Sequence, residues 1–495
     1  MKLVSFETCL GLSRVLGGAL ASVLTGALPC SAADIDSVLV RQQWPWSTDV
    51  KVEYRLSNVT APVNINVECF NDGKALPVEN IDGAIVGRTY GLSKADEGIG
   101  FFYIDPVKAF GKTQVSLANF TVKLTLSATD ELDTQPIYRI IDLQTKEVKD
   151  LSRADFYNDR GRVYGGWETN FAAIGYSPSK GEEYPYTTSL EDVFIWTGVT
   201  NNIEYKTTKL VMRRIPAKNR TFLMGGANDW KYYTSDNYSL SVTLTNDYWL
   251  AVFETTYKQA LLLQGYVEDA SDISDTDAVR PTIKFTTVAS TVLTCYSQMR
   301  GLPSSWTGWP QDVYAVGSAC AIQRMRNSFP GLKFDLPTEA QWEYACRAGT
   351  DTMYYSGVNP TKSIDAYESE LAVLAWFNGT ANSRKEVGLL RPNAFGLYDM
   401  LGNVGELTRD LHNPDTMFGN TGPAFPTENT EPMGWVDLTG VLAKDDKCIQ
   451  LFRGENYGRD YNRTKCSARR TDSGYVLTSA GWASHFGARL WLPVE

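Results

Sequence analysis

Histidine is nearly missing: the 495 residues contain two, His412 and His485. A Ser-His-Asp hydrolase would need one of them as its base, next to a nucleophile on a sharp strand-to-helix turn, and no such elbow accompanies either. Ser484, directly before His485, is poorly placed to face its neighbour's ring. Clusters of lysine or arginine are missing too. Forty-seven basic residues stand against 57 acidic ones for a net charge of −10, so no local patch neutralises phosphates, which excludes nucleic acid and anionic membranes as partners. Past the first 30 residues no run reaches the roughly 18–20 apolar residues that a membrane-spanning helix requires, and no transmembrane segment is expected.

The N-terminus has the order of a secretory signal peptide. Lys2 and Arg14 flank a weakly charged start, Val15 to Leu28 is apolar, and Ser31, Ala32 and Ala33 are small. Residues 1–33 are expected to be removed, which predicts an exported protein, periplasmic or extracellular and at the cell surface. Pro29 before Cys30 argues against a lipidated cysteine. Removal leaves Cys69, Cys295, Cys320, Cys346, Cys448 and Cys466, six thiols able to pair in an oxidising compartment.

A chain of 495 residues exceeds what one core serves and predicts two or three domains. From residue 34 to 128 short alternating runs, such as Val63-Asn64-Ile65-Asn66-Val67 and Phe120 to Leu126, are broken by turn residues such as Asn71-Asp72-Gly73. Period-two alternation puts one face on a core, so this region is expected to be an all-β sandwich of immunoglobulin-like type. Residues 129–207 read as a linker, TDELDT at 129–134, followed by an additional β region rich in Tyr, Trp, Gly and Asn. A new pattern runs from 208 to 495. Thr256 with Gln259 forms a capping box ahead of a helix over Tyr257 to Leu263 stopped by Gly265, and Thr338 with Gln341 forms another ahead of Glu339 to Ala348, stopped by Gly349. Trp342, Ala345 and Ala348 share one face of the second helix, predicting a narrow apolar stripe. Most of the sequence beyond Gly349 is loop-like, and so much irregular chain calls for disulfides or bound ions.

The string LPTEAQWEYACRAG at 336–349, followed by PNAFGLYDMLGNVGE at 392–406, resembles the signature of the formylglycine-generating enzyme, or sulfatase-modifying factor, family. FLMGG at 222–226, Phe452-Arg453-Gly454, Cys466-Ser467-Ala468-Arg469 and Phe486-Gly487-Ala488-Arg489 extend the resemblance over roughly the last 290 residues. It implies a variant of the C-type-lectin-like fold, mixed α/β with little regular structure. Catalytic members of that family hold copper(I) with two cysteines between the glycine-rich strand and a Cys-Ala-Ala-Arg segment. Here residues 454–465 contain no cysteine, and Tyr461 stands where the more C-terminal ligand belongs. Soft thiolates are what copper(I) requires, so no copper is expected, and Gly405-Glu406-Leu407 in place of the family's Trp-Glu-Trp removes bulk from the same site. The shortage of histidine also excludes the three-histidine iron site of the related ergothioneine-pathway sulfoxide synthases.

The resemblance implies four further features. Cys346 and Cys466 correspond to a bridging pair, a cross-link worth about 4 kcal/mol in the chain-entropy model for a loop of this length. Cys320 corresponds to a second bridging position whose usual partner is replaced by Leu490; Cys295 and Cys448 both remain open as substitutes, and Cys69 is unassigned. A structural calcium ion would be held by Asp399, Glu406 and the main-chain carbonyls of Gly402 and Val404, hard oxygen donors for a hard cation. Finally, Asn456, Tyr457, Arg459, Asp460, Tyr461, Asn462 and Arg463, with His485 lining the cleft, form a polar and aromatic set of the kind used on recognition surfaces; the alternative is an ordinary solvated loop. The expected function is a non-catalytic, ligand-recognising protein that binds a protein, peptide or glycan. Its rivals are an oxidase of the formylglycine-generating type and a structural surface protein.

Overall fold

The computed structural model describes residues 33–494 apart from 43–48, 60–62, 76–90, 96, 106–118, 129–133, 160–162, 169–192, 226–238, 286–293, 302–313, 358–363, 413–428, 431–448, 462 and 471–484. The expected signal peptide, except Ala33, lies outside the described residues, as do Cys448 and Asn462.

The alternating runs near the N-terminus are strands. One antiparallel sheet has the order β1 (Asp34–Gln42), β2 (Val50–Ser57), β6 (Gly98–Ile104). In the other, β3 (Val63–Asn71) is flanked by β4 (Lys74–Ala75) and β5 (Gly91–Ala95), and it also pairs along its whole length with β7 (Phe120–Ala128). Val52, Tyr54 and Leu56 of the first sheet and Val63, Ile65, Val67 and Cys69 of the second are buried in the same core, while the residues between them face outward. The β3–β4 turn places Asp72 at φ 47° and Gly73 at φ 73°, the two left-handed positions a tight hairpin of right-twisted strands demands.

The region expected to be a linker with extra β structure joins the next sheet. β8 (Pro136–Asp142) and β9 (Val148–Ser152) extend a five-stranded antiparallel sheet of order β21-β13-β10-β8-β9, in which β10 is Lys209–Ile215, β13 is Tyr248–Ala251 and β21 is Trp491–Pro493. Tyr138 on β8 packs against Phe156, Phe194 and Trp196, accepting a hydrogen bond from the Trp196 N–H at 3.1 Å and donating to the Phe194 carbonyl at 3.2 Å. This aromatic cluster belongs to the same core as the N-terminal strands.

The remainder is small sheets and short helices. β11 (Arg220–Gly225), β12 (Ser239–Leu244) and β17 (Asn429–Thr430) form one sheet, β14 (Ala375–Trp376) and β15 (Leu401–Gly402) a second, and β16 (Gly405–His412), β18 (Ile449–Arg453), β19 (Arg469–Arg470) and β20 (Phe486–Gly487) a third. Both predicted capping boxes are present, on α1 (Tyr257–Leu263) and α3 (Glu339–Arg347); between them lies α2 (Ala321–Ser328), and α4 (Ile364–Leu371) comes after α3. Ala348 adopts φ 45° and Gly349 φ 96°, so α3 stops one residue earlier than predicted. The narrow apolar stripe expected on α3 is overturned. Every residue of the helix but Ala340 is buried, because Glu339, Glu343 and Arg347 enter the interior paired with charges rather than facing water.

Candidate functional site

Buried ion pairs build the scaffold from the α3 helix outward. Arg453, at the end of β18, sends Nη2 to Glu339 and Nη1 to Glu343, each at 2.9 Å. Glu343 also accepts from Arg347 Nε and from the Gly225 N–H, both at 2.8 Å. The Asn393 amide donates to the carbonyls of Ala345 and Cys346 and accepts from the N–H groups of Phe395 and Leu397, tying the loop after 392 to the same helix.

The residues expected to hold calcium meet beneath that loop. Asp399 and Asn403 at φ 54° and Gly402 at φ 80° turn the chain sharply; a Cβ on Gly402 would stand 2.3 Å from the Trp376 carbonyl oxygen. Trp342 Nε1 donates to Glu406 at 2.6 Å. Arg489, fully buried, donates to both Glu406 oxygens and to the carbonyls of Ala251, Val252, Tyr398 and Asp399. Glu254 accepts from the Asn403 amide at 2.6 Å and the Val404 N–H at 3.0 Å. Burial pushes the Glu254 carboxyl well up, and the neighbouring charges of Asp399 and Glu406 push the same way. Burial likewise raises Asp399 to about 6, against the lowering pull of the Gly388 N–H, Arg489 and Lys206.

Tested as a calcium site, this cluster fits at Asp399. Its Oδ2 accepts from the Gly388 N–H, whereas its buried Oδ1 has no hydrogen-bond partner, and three carboxylates share one arginine. Glu406 fits less well, because its oxygens are already taken by Arg489 and Trp342. Among the described residues no group of three or more His, Cys, Asp or Glu side chains is arranged to hold a metal, so a cation here would depend on main-chain carbonyls.

The loop after Gly454 carries the other expected site residues. Asn456 is buried; its Oδ1 accepts from the Gly458 N–H at 3.0 Å and its Nδ2 has no partner. Tyr457 and His485 are half-buried with ring centroids 5.0 Å apart. Arg459 lies 3.9 Å from Glu455, and the exposed Asp460 accepts from the Asn378 amide at 3.3 Å. Arg463 is half-buried, its N–H on the Asp460 carbonyl. Asp460 and Tyr461, with Glu368, Phe377, Asn378 and Gly379, line a cleft of about 180 Å³. The structure thus groups Tyr457 with His485 and separately Asp460 with Tyr461. Phe377, Asn378, Gly379 and Glu368 were missed by sequence reasoning; the only local signal was an aromatic followed by Asn-Gly.

Cys346 and Cys466, the pair expected to bridge, are both fully buried and carry free thiols here, and burial, followed by the influence of Cys466, raises the Cys346 thiol well above the ordinary range. Cys69, Cys295 and Cys320 are buried free thiols as well, and Leu490 shares a core cluster with Cys320.

The sulfatase-modifying factor enzyme 1-like domain model matches residues 218–489, more than half of the chain. This chain belongs to that family. Curated relatives include the formylglycine-generating enzyme of Mus musculus, 33% identical over 112 residues, which cover 20% of this chain and 29% of that one. That of Mycobacterium tuberculosis is 41% identical over 83 residues, covering 15% and 26%. The aligned parts thus span less than a third of these relatives. Among solved structures, Treponema denticola variable protein 1 is similar at 18% identity and a TM-score of 0.37, over 58% of this chain and 96% of that one. PvdO from Pseudomonas aeruginosa is similar at 18% and 0.37, over 57% and 94%.

In this sulfatase-modifying factor domain the buried Asp335 sets an acid limit. Burial alone would raise its carboxyl, but Arg300, Arg409 and Arg326 outweigh that and hold it below its ordinary value of 3.8; Arg300 reaches it at 2.7 and 2.9 Å. A depressed folded-state value means the stabilisation is complete above the unfolded-state value and is lost as pH falls through the folded one. Urea midpoints are therefore expected to drop as pH is lowered below about 4, and Asp335→Asn is expected to start lower and remove Asp335's share of that slope.

Proposed function

We propose that this protein is an exported, non-catalytic recognition protein: an immunoglobulin-like β-sandwich followed by a calcium-braced sulfatase-modifying factor domain that binds a protein, peptide or glycan. The observation that carries the reading is the 454–465 segment. Where the family's oxidases place thiolates for copper(I), this chain has Asn456, Tyr457, Asp460 and Tyr461, and phenols, amides and carboxylates are poor ligands for a soft ion. The same groups suit adaptable contact, with tyrosine giving area and amides giving hydrogen bonds. Calcium would be held by Asp399, Glu406 and the carbonyls of Gly402 and Val404, with the open Oδ1 of Asp399 supporting the assignment. Its chemistry there is structural, neutralising buried carboxylates. Oxidation in the exported environment would join Cys346 and Cys466.

Two experiments test this. Peptide and glycan arrays probed with purified protein should retain it, and Tyr461→Ala should lose the retained ligands while melting normally; retention unchanged by that substitution contradicts the loop assignment. In calorimetry, calcium should bind the native protein, and Asp399→Asn should weaken it about tenfold or more through loss of a charged ligand. Equal calcium affinity in both would remove the site.

A further inference from the structure

The acidic cluster around Asp399 receives a cation from outside the family match. Lys206 belongs to the one-turn helix Glu204–Thr207, ahead of the matched residues 218–489, and it is 3% exposed. Two residues of the first capping box fix that turn: Thr256 Oγ1 donates to the Lys206 carbonyl at 2.8 Å, and Gln259 Nε2 to the Tyr205 carbonyl at 3.1 Å. Thr256 follows closely on Glu254 of the cluster. From this anchor the Lys206 ammonium reaches Glu386 at 2.7 Å and lies 5.9 Å from the centre of the Phe253 ring. Phe253 directly precedes Glu254, and Glu386 shortly precedes Gly388, whose N–H holds Asp399 Oδ2 at 2.6 Å. The lysine's main-chain anchor and both of its side-chain contacts are therefore chain neighbours of the residues that build the cluster.

A buried ammonium in that place competes with a metal. Glu254, Asp399 and Glu406 crowd around Arg489, and Asp399 Oδ1 is buried without a hydrogen-bond partner. Burial raises the Asp399 carboxyl, and Lys206 is among the groups that draw it back down, so the field of the lysine reaches the oxygens a cation would touch. A fixed positive charge at that range stabilises the metal-free carboxylates and repels a divalent ion more strongly than a monovalent one. We infer that Lys206 is a tethered cation that sets the metal affinity of the Asp399 site, bracing the metal-free cluster and weakening calcium binding. This inference rests on the calcium brace proposed above.

The test is calorimetry of the full chain with calcium chloride. Lys206→Met fills the space of the stem without the charge and should bind calcium about tenfold more tightly than wild type, whereas Lys206→Arg should match wild type within about twofold. Asp399→Asn in the Lys206→Met background should abolish the gain. Equal or weaker binding by Lys206→Met overturns the inference, and so does an equal gain in Lys206→Arg, which would assign the effect to packing. Glu386→Gln, at a half-exposed position, tests the same point without touching the buried lysine: the ammonium loses its counter-charge, and calcium should bind several-fold more weakly, with a smaller loss when Lys206→Met is also present. The same loss in both backgrounds would show that Glu386 acts without the lysine and overturns the inference. Calcium affinity indifferent to every Lys206 substitution defeats the inference alone and leaves the calcium brace standing; calcium binding by none of these proteins defeats both.

Discussion

Replacing Arg489 with methionine is expected to lower folding stability by about 3–5 kcal/mol, the cost of removing one partner from a buried ion pair. The guanidinium is fully buried and satisfies both oxygens of Glu406 along with four main-chain carbonyls from β13, the residue after it and the 398–399 turn. Without it Glu406 keeps the Trp342 contact but no counter-charge, while Glu254 and Asp399 crowd the same space. Urea unfolding followed by tryptophan fluorescence reads the loss directly. Because calcium would supply replacement positive charge, saturating calcium should restore part of the variant's stability, and a variant as stable as wild type without calcium would show that Arg489 does not hold this cluster together.

The second large effect is expected at Arg453, where methionine should again cost about 3–5 kcal/mol. Glu339 and Glu343 on α3 are both buried and both rely on this side chain, although Glu343 retains Arg347. Arg453 also immediately precedes the 454–465 loop, and its Nη1 reaches the Ser467 carbonyl at 3.1 Å on the loop's far side. Its loss should therefore loosen the loop's two ends. Amide exchange in 454–468 should rise more than in the N-terminal strands, and uniform change across the chain would contradict that local role.

Local chemistry was legible and distant pairing was not. The capping boxes at Thr256 and Thr338 act within four residues, so their sequence alone placed two helices, and alternating Val63, Ile65 and Val67 announced a strand because period two is a property of one segment. Arg489 appeared only as part of a motif, since the carbonyls it satisfies lie up to 238 residues away. The packed face of α3 read as a narrow apolar stripe, because burial of a glutamate depends on an arginine more than a hundred residues downstream. The cleft was half visible: Asp460 and Tyr461 stood out, but Phe377 to Gly379 sit in irregular chain where no periodicity marks a facing wall.

Two cysteines do stand near each other, Cys346 and Cys466, yet both are inaccessible to solvent and burial pushes the Cys346 thiol well up, away from the thiolate that copper(I) requires. They line a core, while the cleft beside Tyr461 is walled by rings, amides and carboxylates. The most direct measurement is to incubate the purified protein with copper(I), oxygen and a Cys-x-Pro-x-Arg peptide and follow the peptide by mass spectrometry. The thiol is expected to persist with no aldehyde formed; turnover of cysteine to formylglycine would contradict the account.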